Sequence, residues 1–245
     1  MSRIDKFKVS GNVFDQNTEK NLWELMTHHK IDGLESPIKI GKEANVFSAL
    51  DKKGKRFAAK IYRISSCDFF KMRKYLEVDP RFKLKKSRKA IVEIWARREF
   101  SNLTKAYDNG VSVPKPIALF KNVIIMEFIG NKSNKEIPEA SPLLKDAKPK
   151  NPEKFFNELI KNIKMLYGVN IIHGDLSEFN IINHKEKPII IDLSHGMPIN
   201  SNVSEEMLKR DIINISRYFK KQGLKINEDK LIQEIKKTKR CKNKK

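Results

Sequence analysis

The sequence has few of the features that mark disulfide-rich, zinc-binding or membrane proteins. Its only two cysteines are Cys67 and Cys241, and neither lies in a C-x-x-C pair, so we expect neither a disulfide framework nor a zinc site. No apolar run is long enough to span a bilayer, and no signal peptide begins the chain, so we expect a cytoplasmic protein with no membrane association. It also lacks a Walker A loop, because no Ser or Thr follows Lys42.

Acidic residues are scarce relative to basic ones. The chain has 51 Lys and Arg against 30 Asp and Glu, which gives a formal net charge of +21. Such an excess favours an anionic partner, and nucleic acid is favoured over a membrane because no amphipathic anchor is evident. Hydrophobic residues make up 39% of the 245 residues. This content is sufficient for the core of one large domain, or of two small lobes that share a cleft.

One segment, IIHGDLSEFNIINHKEKPIIIDLS at 171–194, contains most of the residues with a chemical role. Two β-branched runs around a short polar link predict a β-hairpin. His173, Asp175 and Asn180 precede the first run in an H-x-D-x-x-x-x-N pattern, and Asp192 ends the second run. In phosphoryl-transfer enzymes with this order, the first Asp orients the attacking hydroxyl, while the Asn and the second Asp hold magnesium. We expect His173 to be structural, buried and bonded to the backbone near Asp192.

The residues before this segment predict an antiparallel sheet with a phosphate-binding lysine. Gly41 lies between two strands of a hairpin, where its backbone would approach a polyphosphate, although taken alone an ordinary hairpin turn is the more frequent explanation. Lys60 follows on the next strand in the A-x-K setting that kinases use. A helix predicted over 90–107 has Glu99 in the middle of its apolar face. Because a buried carboxylate needs a cationic partner, we expect Glu99 to pair with Lys60.

Other segments are predicted to be helical or highly charged. Residues 1–35 would contain one amphipathic helix that packs on the domain, either as an interaction segment or as structural cover. Residues 65–89 are predicted to be a long, mostly structureless basic insert, whose aromatic residues suggest either an RNA-binding surface or a solvated mobile loop. Residues 236–245 form a basic tail that is expected to bind polyanions. Three further helices would begin at Asn151, Ser204 and Asn227.

The chain resembles the RIO family of atypical kinases in motifs that follow one another in the family's order: IGKEANVF, AAKIYR, WARREFSNL, GVSVPKP, IIMEFIG, HGDLSEFNII and IIDLSHG. It is most similar to the type-one branch, because no winged-helix domain precedes the motifs, and its small size is similar to that of archaeal members. The resemblance implies an α+β, two-lobed protein-kinase-like fold, with an N-lobe antiparallel sheet, one αC-type helix and a mainly helical C-lobe. The activation segment and the peptide-binding helices are lacking. The lobes would span 36–130 and 131–235.

The resemblance also implies an activity and a metal site. The chain would be an atypical serine/threonine kinase or ATPase that uses ATP with Mg²⁺ or Mn²⁺, acts as a monomer, and takes part in maturing the small ribosomal subunit and its rRNA. Asp175 would be the catalytic aspartate, and Asn180 and Asp192 would be the metal ligands. Asp192 would also be the site of an aspartyl-phosphate. Serine autophosphorylation is a further activity of the family.

Nucleotide binding, by the same resemblance, would use residues of the N-lobe. Gly41 and Lys42 would cover the phosphates, and Lys60 would contact them with Glu99 as its partner. In this chain Lys39 and Ile40 stand where the family usually has small hydroxyl residues, so contacts from such hydroxyls are not expected. Adenine would be bound by two backbones between the lobes, those of Glu127 and Ile129.

Two other hypotheses remain open. The small kinase of the tRNA-modifying KEOPS complex is similar in size and also carries H-G-D, but it lacks a long basic insert before Glu99. The other hypothesis is an RNA-binding assembly factor with ATP as a structural ligand, and the intact set of catalytic residues argues against it. Ser177 stands where protein kinases have a lysine near the γ-phosphate. We therefore expect slow turnover, with water and Asp192 as the phosphate acceptors.

Overall fold

The computed structural model describes residues 16–28, 31–131 and 139–239. The start of the predicted N-terminal segment and the tail from residue 240 onwards lie outside these ranges. Within them, no helix is long and apolar enough to cross a bilayer.

The described residues contain six α-helices and seven β-strands. The helices are α1 (Gln16–Thr27), α2 (Phe69–Glu77), α3 (Arg88–Asp108), α4 (Pro152–Gly168), α5 (Ser204–Lys220) and α6 (Glu228–Lys236). The strands are β1 (Gly33–Ile40), β2 (Ala44–Leu50), β3 (Arg56–Tyr62), β4 (Pro116–Phe120), β5 (Val123–Glu127), β6 (Ile181–His184) and β7 (Lys187–Ile190).

The chain divides into two compact units, and the first is built on a five-stranded antiparallel sheet. The strand order is β1-β2-β3-β5-β4. The register of β1 shifts on either side of Pro37, because proline has no N–H to give to the ladder. The register of β3 is regular and places Lys60 opposite Val46 of β2 and Ile124 of β5. Lys60 is therefore fixed in the central strand of the sheet.

Helix α1 packs on one face of this sheet, as predicted for the N-terminal segment. Leu22 and Leu25 are buried in the same apolar cluster as Phe47 of β2. The side chain of Asn122 ties the helix to the turn between β4 and β5, since it accepts a hydrogen bond from Asn21 at 2.7 Å and donates to Thr18 at 3.0 Å. The helix is thus cover for the sheet core.

The prediction that residues 65–89 are mostly structureless is wrong. They contain α2, whose first turn is capped by Asp68, the carboxylate of which accepts the N–H of Lys71 at 3.0 Å. Met72 and Leu76, four residues apart on one face, are buried. The many basic residues around them conceal this short apolar pattern in the sequence.

A buried ion pair holds the end of this insert on α3. Asp79 is buried, and its Oδ2 lies 3.1 Å from Nε of Arg98 and 2.7 Å from Nη2 of Arg81. The Arg98 side chain is also wholly buried, and this burial lowers its pKa to about 10 although Asp79 acts to raise it. Removing one partner of a buried pair leaves an uncompensated charge, which costs about 3–5 kcal/mol. The insert is therefore anchored to α3.

The second unit is mainly helical and contains the β6–β7 hairpin. The three helix starts predicted from sequence are confirmed. Asn151 accepts the N–H of Lys154 at 2.9 Å ahead of α4, Asn227 accepts that of Lys230 at 3.0 Å ahead of α6, and α5 begins at Ser204. A sheet unit followed by a mainly helical unit confirms the α+β, two-lobed fold.

Apart from the two ends of the chain, the units differ from the predicted lobes, 36–130 and 131–235, at two places. Residues Ser101–Pro114 belong to the second unit, because the Asn102 side chain donates to the carbonyls of Leu193 and Gly196, both at 2.9 Å. The first unit runs on to Ala140, which forms a β-bridge with Gly130. Neither contact is visible in the local sequence pattern.

Candidate active site

The predicted site residues of the first unit centre on a buried ion pair between β3 and α3. Nζ of Lys60 lies 2.7 Å from Oε1 of Glu99. Lys60 is 7% exposed and Glu99 is 2% exposed. A charge-assisted hydrogen bond with so little solvent is strong, and neither charge is stable here without the other. The predicted pairing of Glu99 with Lys60 is therefore confirmed.

A third side chain, that of Tyr62, completes this buried group. Its hydroxyl donates a short hydrogen bond to Oε2 of Glu99, while Lys60 donates to Oε1. The Lys60 ammonium also lies 5.1 Å from the centroid of the Tyr62 ring, within the range of a cation–π contact. Tyr62 was not predicted as a site residue from the sequence. Its two-residue spacing from Lys60 indicates this position, because alternate side chains of a strand share one face.

The turn between β1 and β2 contains the residues expected to cover the phosphates. The Gly41 N–H donates to Oδ1 of Asn45 at 3.3 Å, and a Cβ at Gly41 would lie only 2.8 Å from the carbonyl oxygen of Ala44. Glycine is therefore the residue that this tight turn accepts. Lys42 is exposed. Phosphate binding by Gly41 and Lys42 stays a prediction.

The segment expected to bind adenine follows β5. The Glu127 N–H donates to the carbonyl of Lys115 at 2.8 Å, and its carboxylate accepts the N–H of Lys115 at 3.3 Å. These bonds fix Glu127 at the end of the sheet. Ile129 lies two residues beyond it, after the buried Phe128. Adenine binding by these two backbones also stays a prediction.

In the second unit, the structure brings Asp175 and Asn180 together. The Asn180 amide nitrogen donates to the carbonyl of Asp175 at 2.8 Å and approaches its Oδ2 at 3.4 Å. The Asn180 backbone N–H donates to the carbonyl of Ser177 at 3.0 Å. Because the amide nitrogen is used in this way, Oδ1 is the Asn180 atom suited to a cation.

Asp192 lies next to this pair because of the β6–β7 hairpin. The hairpin closes with a two-residue turn, Lys185-Glu186, at φ 52° and 65°, which is the geometry of a type I′ turn. The N–H of Ile191 then donates to the carbonyl of Asn180 at 3.0 Å, so Asp192 is one residue from a backbone bond to Asn180. The two predicted metal ligands are therefore neighbours.

The backbone of Asp192 is strained. It adopts φ 62° and ψ 62°, a left-handed conformation that is uncommon outside glycine, although Asp enters it more readily than most residues, and that costs of order 1–3 kcal/mol. Its Oδ1 accepts a hydrogen bond from the Ser194 hydroxyl at 2.7 Å. Such strain is typical of functional sites.

His173 is structural, as predicted. It is buried, and its Nε2–H donates to the carbonyl of Ile191 at 2.9 Å. Its Nδ1 accepts the backbone N–H of Asp175 at 3.3 Å. Both ring nitrogens are thus used in holding the loop of Asp175 against the strand that ends before Asp192.

Asp211 of α5 is a second positioning residue, and sequence analysis missed it. Its buried carboxylate accepts the N–H of Gly174 at 2.7 Å and that of Leu176 at 2.9 Å, on either side of Asp175. Burial raises the pKa of Asp211 to about 6, against the lowering effects of His173 and of these two backbone bonds. The sequence pattern that could have identified Asp211 is an acid on the apolar face of a helix, the same pattern that identified Glu99.

Glycine suits position 174 because the backbone there adopts φ 80°, which side-chain-bearing residues rarely hold. A Cβ would also lie 3.0 Å from the carbonyl oxygen of His195 and would displace the terminal methyl of Met207 on α5. The Arg210 guanidinium donates a short hydrogen bond to the Gly174 carbonyl. The loop before Asp175 is therefore packed directly on α5.

Residues 45–231 match the family model described as RIO domain. The chain is 38% identical to the RIO-type serine/threonine-protein kinase Rio1 of Haloferax volcanii over 230 residues, covering 94% of this chain and 78% of the relative. It is 35% identical to Rio1 of Methanocaldococcus jannaschii, covering 95% of this chain and 78% of the relative.

A solved structure supports the fold. The Rio2 kinase of Chaetomium thermophilum, in a complex with ADP, Mg²⁺ and phosphoaspartate, superposes with a TM-score of 0.71 at 24% identity. The match covers 91% of this chain and 66% of that one. At this identity the likeness concerns the fold alone.

The role of Asp211 can be tested with the change Asp211→Asn. The amide oxygen can still accept one backbone N–H, but its NH₂ group would face the other, so the loop holding Asp175 loses a bond. We expect ATP turnover to fall about tenfold. In the native protein, turnover should also fall as pH is lowered through about 6, where Asp211 takes up a proton and the same bond is lost. Initial rates across this pH range measure both effects.

The matched control is Glu206→Gln, an exposed acid on the same helix. It should leave turnover and its pH profile unchanged. Asp211→Asn should retain a low rate without the step near pH 6. A variant with native turnover would show that Asp211 does not position the catalytic loop.

Proposed function

The chain belongs to the RIO family of atypical serine/threonine kinases, in its type-one branch, and from this membership we propose that it is a slow, Mg-ATP-dependent switch. The observation that carries the proposal is the buried pair of Lys60 and Glu99, which has the chemistry required to hold an ATP phosphate group. In the second unit, the hydrogen-bonded Asp175 and Asn180 also support it.

The donor set of the second unit fits magnesium. Mg²⁺ is commonly held by one or two protein oxygens together with substrate phosphates and water. Asn180 and Asp192 supply such oxygens, and among the described residues no group of three His, Cys, Asp or Glu side chains forms a separate metal site. Magnesium bound here would neutralise charge on the phosphates. With that charge neutralised, the remaining task of the protein is to orient the phosphate acceptor, a role that we assign to Asp175.

The serine at position 177 favours water and Asp192 over another protein as the phosphate acceptor. Ser177 stands where protein kinases have a cation, and its hydroxyl accepts the N–H of Phe179 at 3.4 Å within the loop. A missing cation at a transferring phosphoryl group costs orders of magnitude in rate. Asp192 carries a carboxylate in a strained backbone at the end of the hairpin, and the Rio2 complex contains a phosphoaspartate.

The proposed reaction has two steps. A carboxylate oxygen of Asp192 attacks the γ-phosphorus, the bond between that phosphorus and the bridging oxygen breaks, and ADP leaves. Water then attacks the phosphorus of the acyl phosphate, and the bond between that phosphorus and the Asp192 oxygen breaks. Inorganic phosphate leaves, the proton of the attacking water passes to it or to solvent, and the carboxylate is restored. Autophosphorylation of a serine is a side reaction of the same site.

A single-turnover assay with γ-labelled ATP tests this proposal. We expect a slow reaction in which hydroxylamine releases the label from the protein, as it does from an acyl phosphate, and in which the final product is free phosphate. Asp192→Ala should abolish the labelled protein and reduce phosphate release by at least a hundredfold, because it removes both the acceptor and a metal ligand. Asp146→Ala, an exposed acid of the same unit, is the control. Efficient multiple-turnover transfer to another protein would contradict the switch.

We also propose that the partner is a precursor of the small ribosomal subunit, bound in the cytoplasm by the monomeric chain through its rRNA. The basic insert supports this. Residues 65–89 contain nine Lys or Arg against three Asp or Glu, and one of the acids, Asp79, is buried in ion pairs. Phe70 on α2 is 80% exposed between these cations, as expected of a residue on which a single-stranded base stacks.

Separate substitutions distinguish charge from stacking on α2. Lys71→Gln with Lys74→Gln should weaken binding of single-stranded rRNA fragments and flatten the salt dependence by about 0.7 per lost phosphate contact. Phe70→Ala should weaken binding by about 1–3 kcal/mol and leave that slope unchanged. Fluorescence titrations at several salt concentrations measure both.

Lys52→Gln with Lys53→Gln makes the same charge change in the exposed turn between β2 and β3 and serves as the control. Equal losses of RNA affinity in the control and in the α2 lysine variant would show that binding follows net charge alone. The insert would then not be the RNA surface.

A further inference from the structure

Tyr62 is buried beside the ion pair, and its hydroxyl occupies one oxygen of Glu99. The phenol donates to Oε2 while Lys60 donates to Oε1. We infer that Tyr62 is a positioning residue for nucleotide phosphates, because it keeps Glu99 in place while Lys60 is shared with the ligand. This inference rests on the proposed binding of ATP by Lys60.

The backbone of Tyr62 is fixed, so its hydroxyl is a rigid anchor. Its N–H donates to the carbonyl of Asn122 at 2.9 Å, and its carbonyl accepts the Asn122 amide at 2.7 Å. The residue also pairs with Ala44 across β2 and β3. With 1% of its surface exposed, the ring has little freedom to move.

The need for such an anchor follows from the competition for Lys60. The ammonium group has three donors, and a phosphate is a stronger anionic acceptor than a single carboxylate. When a phosphate draws the ammonium towards itself, the bond between Lys60 and Glu99 weakens. Glu99 then keeps its position through the hydroxyl of Tyr62, so the lysine remains oriented and need not be ordered at the moment of binding.

The ring and the hydroxyl of Tyr62 have separable effects. The ring lies 5.1 Å from the Lys60 ammonium and would stay there in Tyr62→Phe, which keeps volume, apolar packing and the cation–π contact. Only the donor to Glu99 is removed. Any defect of this variant is therefore a defect of the hydrogen bond.

The test compares ATP with adenosine in the full chain. Tyr62→Phe should weaken Mg-ATP binding about tenfold, the effect of losing one buried hydrogen bond to a charged group, and should raise KM more than it lowers kcat. Adenosine has no phosphates, so its affinity should be unchanged. The same change in a Glu99→Gln background should have little further effect on ATP, since Tyr62 acts through Glu99.

Tyr75→Phe, which removes a hydroxyl from a half-buried tyrosine of the same unit, is the control and should bind both ligands as the native protein does. Loss of affinity for ATP and adenosine alike, or loss of the fold, would overturn the inference in favour of a purely structural role. Native ATP affinity in Tyr62→Phe would also overturn it, with the proposed function intact. Failure of the native protein to bind ATP would instead refute the proposed function.

Discussion

The buried ion pair of Lys60 and Glu99 is the constraint on which the first unit depends. Neither charge is stable in the core without the other, so the central strand of the sheet and helix α3 have to meet at this point. The preceding residue of α3, Arg98, is also buried and is paired with Asp79 of the insert. Two adjacent side chains of one helix therefore bind two different segments of the unit.

The second unit uses a buried acid in a related way. The Asp211 carboxylate accepts two backbone N–H groups of the loop that carries Asp175. Burial raises its pKa to about 6, because these two bonds offset only part of the cost of burying the charge. In each unit an acid on the apolar face of a helix fixes the segment that carries a predicted functional residue. Tyr62 extends the same principle to the second oxygen of Glu99.

Sequence reasoning was most successful where chemistry is encoded in local order. The hairpin before Asp192 and the cap at Asn151 follow from short patterns, and the partner of Glu99 follows from the cost of burying a lone charge. The prediction failed at α2, because Met72 and Leu76 are separated by basic residues. The contact that holds the insert in place, between Asp79 and Arg98, is made with another element, α3. Tyr62 and Asp211 were missed because their roles are set by hydrogen bonds between elements far apart in the chain. The division into units at Asn102 depends on such contacts too.

A double-mutant cycle on Lys60 and Glu99 tests the central claim most directly. Mg-ATP affinity would be measured for Lys60→Met, for Glu99→Gln and for the double variant, with adenosine affinity as a check on the fold. If the pair acts as one unit, each single change should weaken ATP binding strongly, and the double variant should be little worse than the weaker-binding single variant. Losses that multiply in the double variant would contradict the account, because the two residues would then act independently.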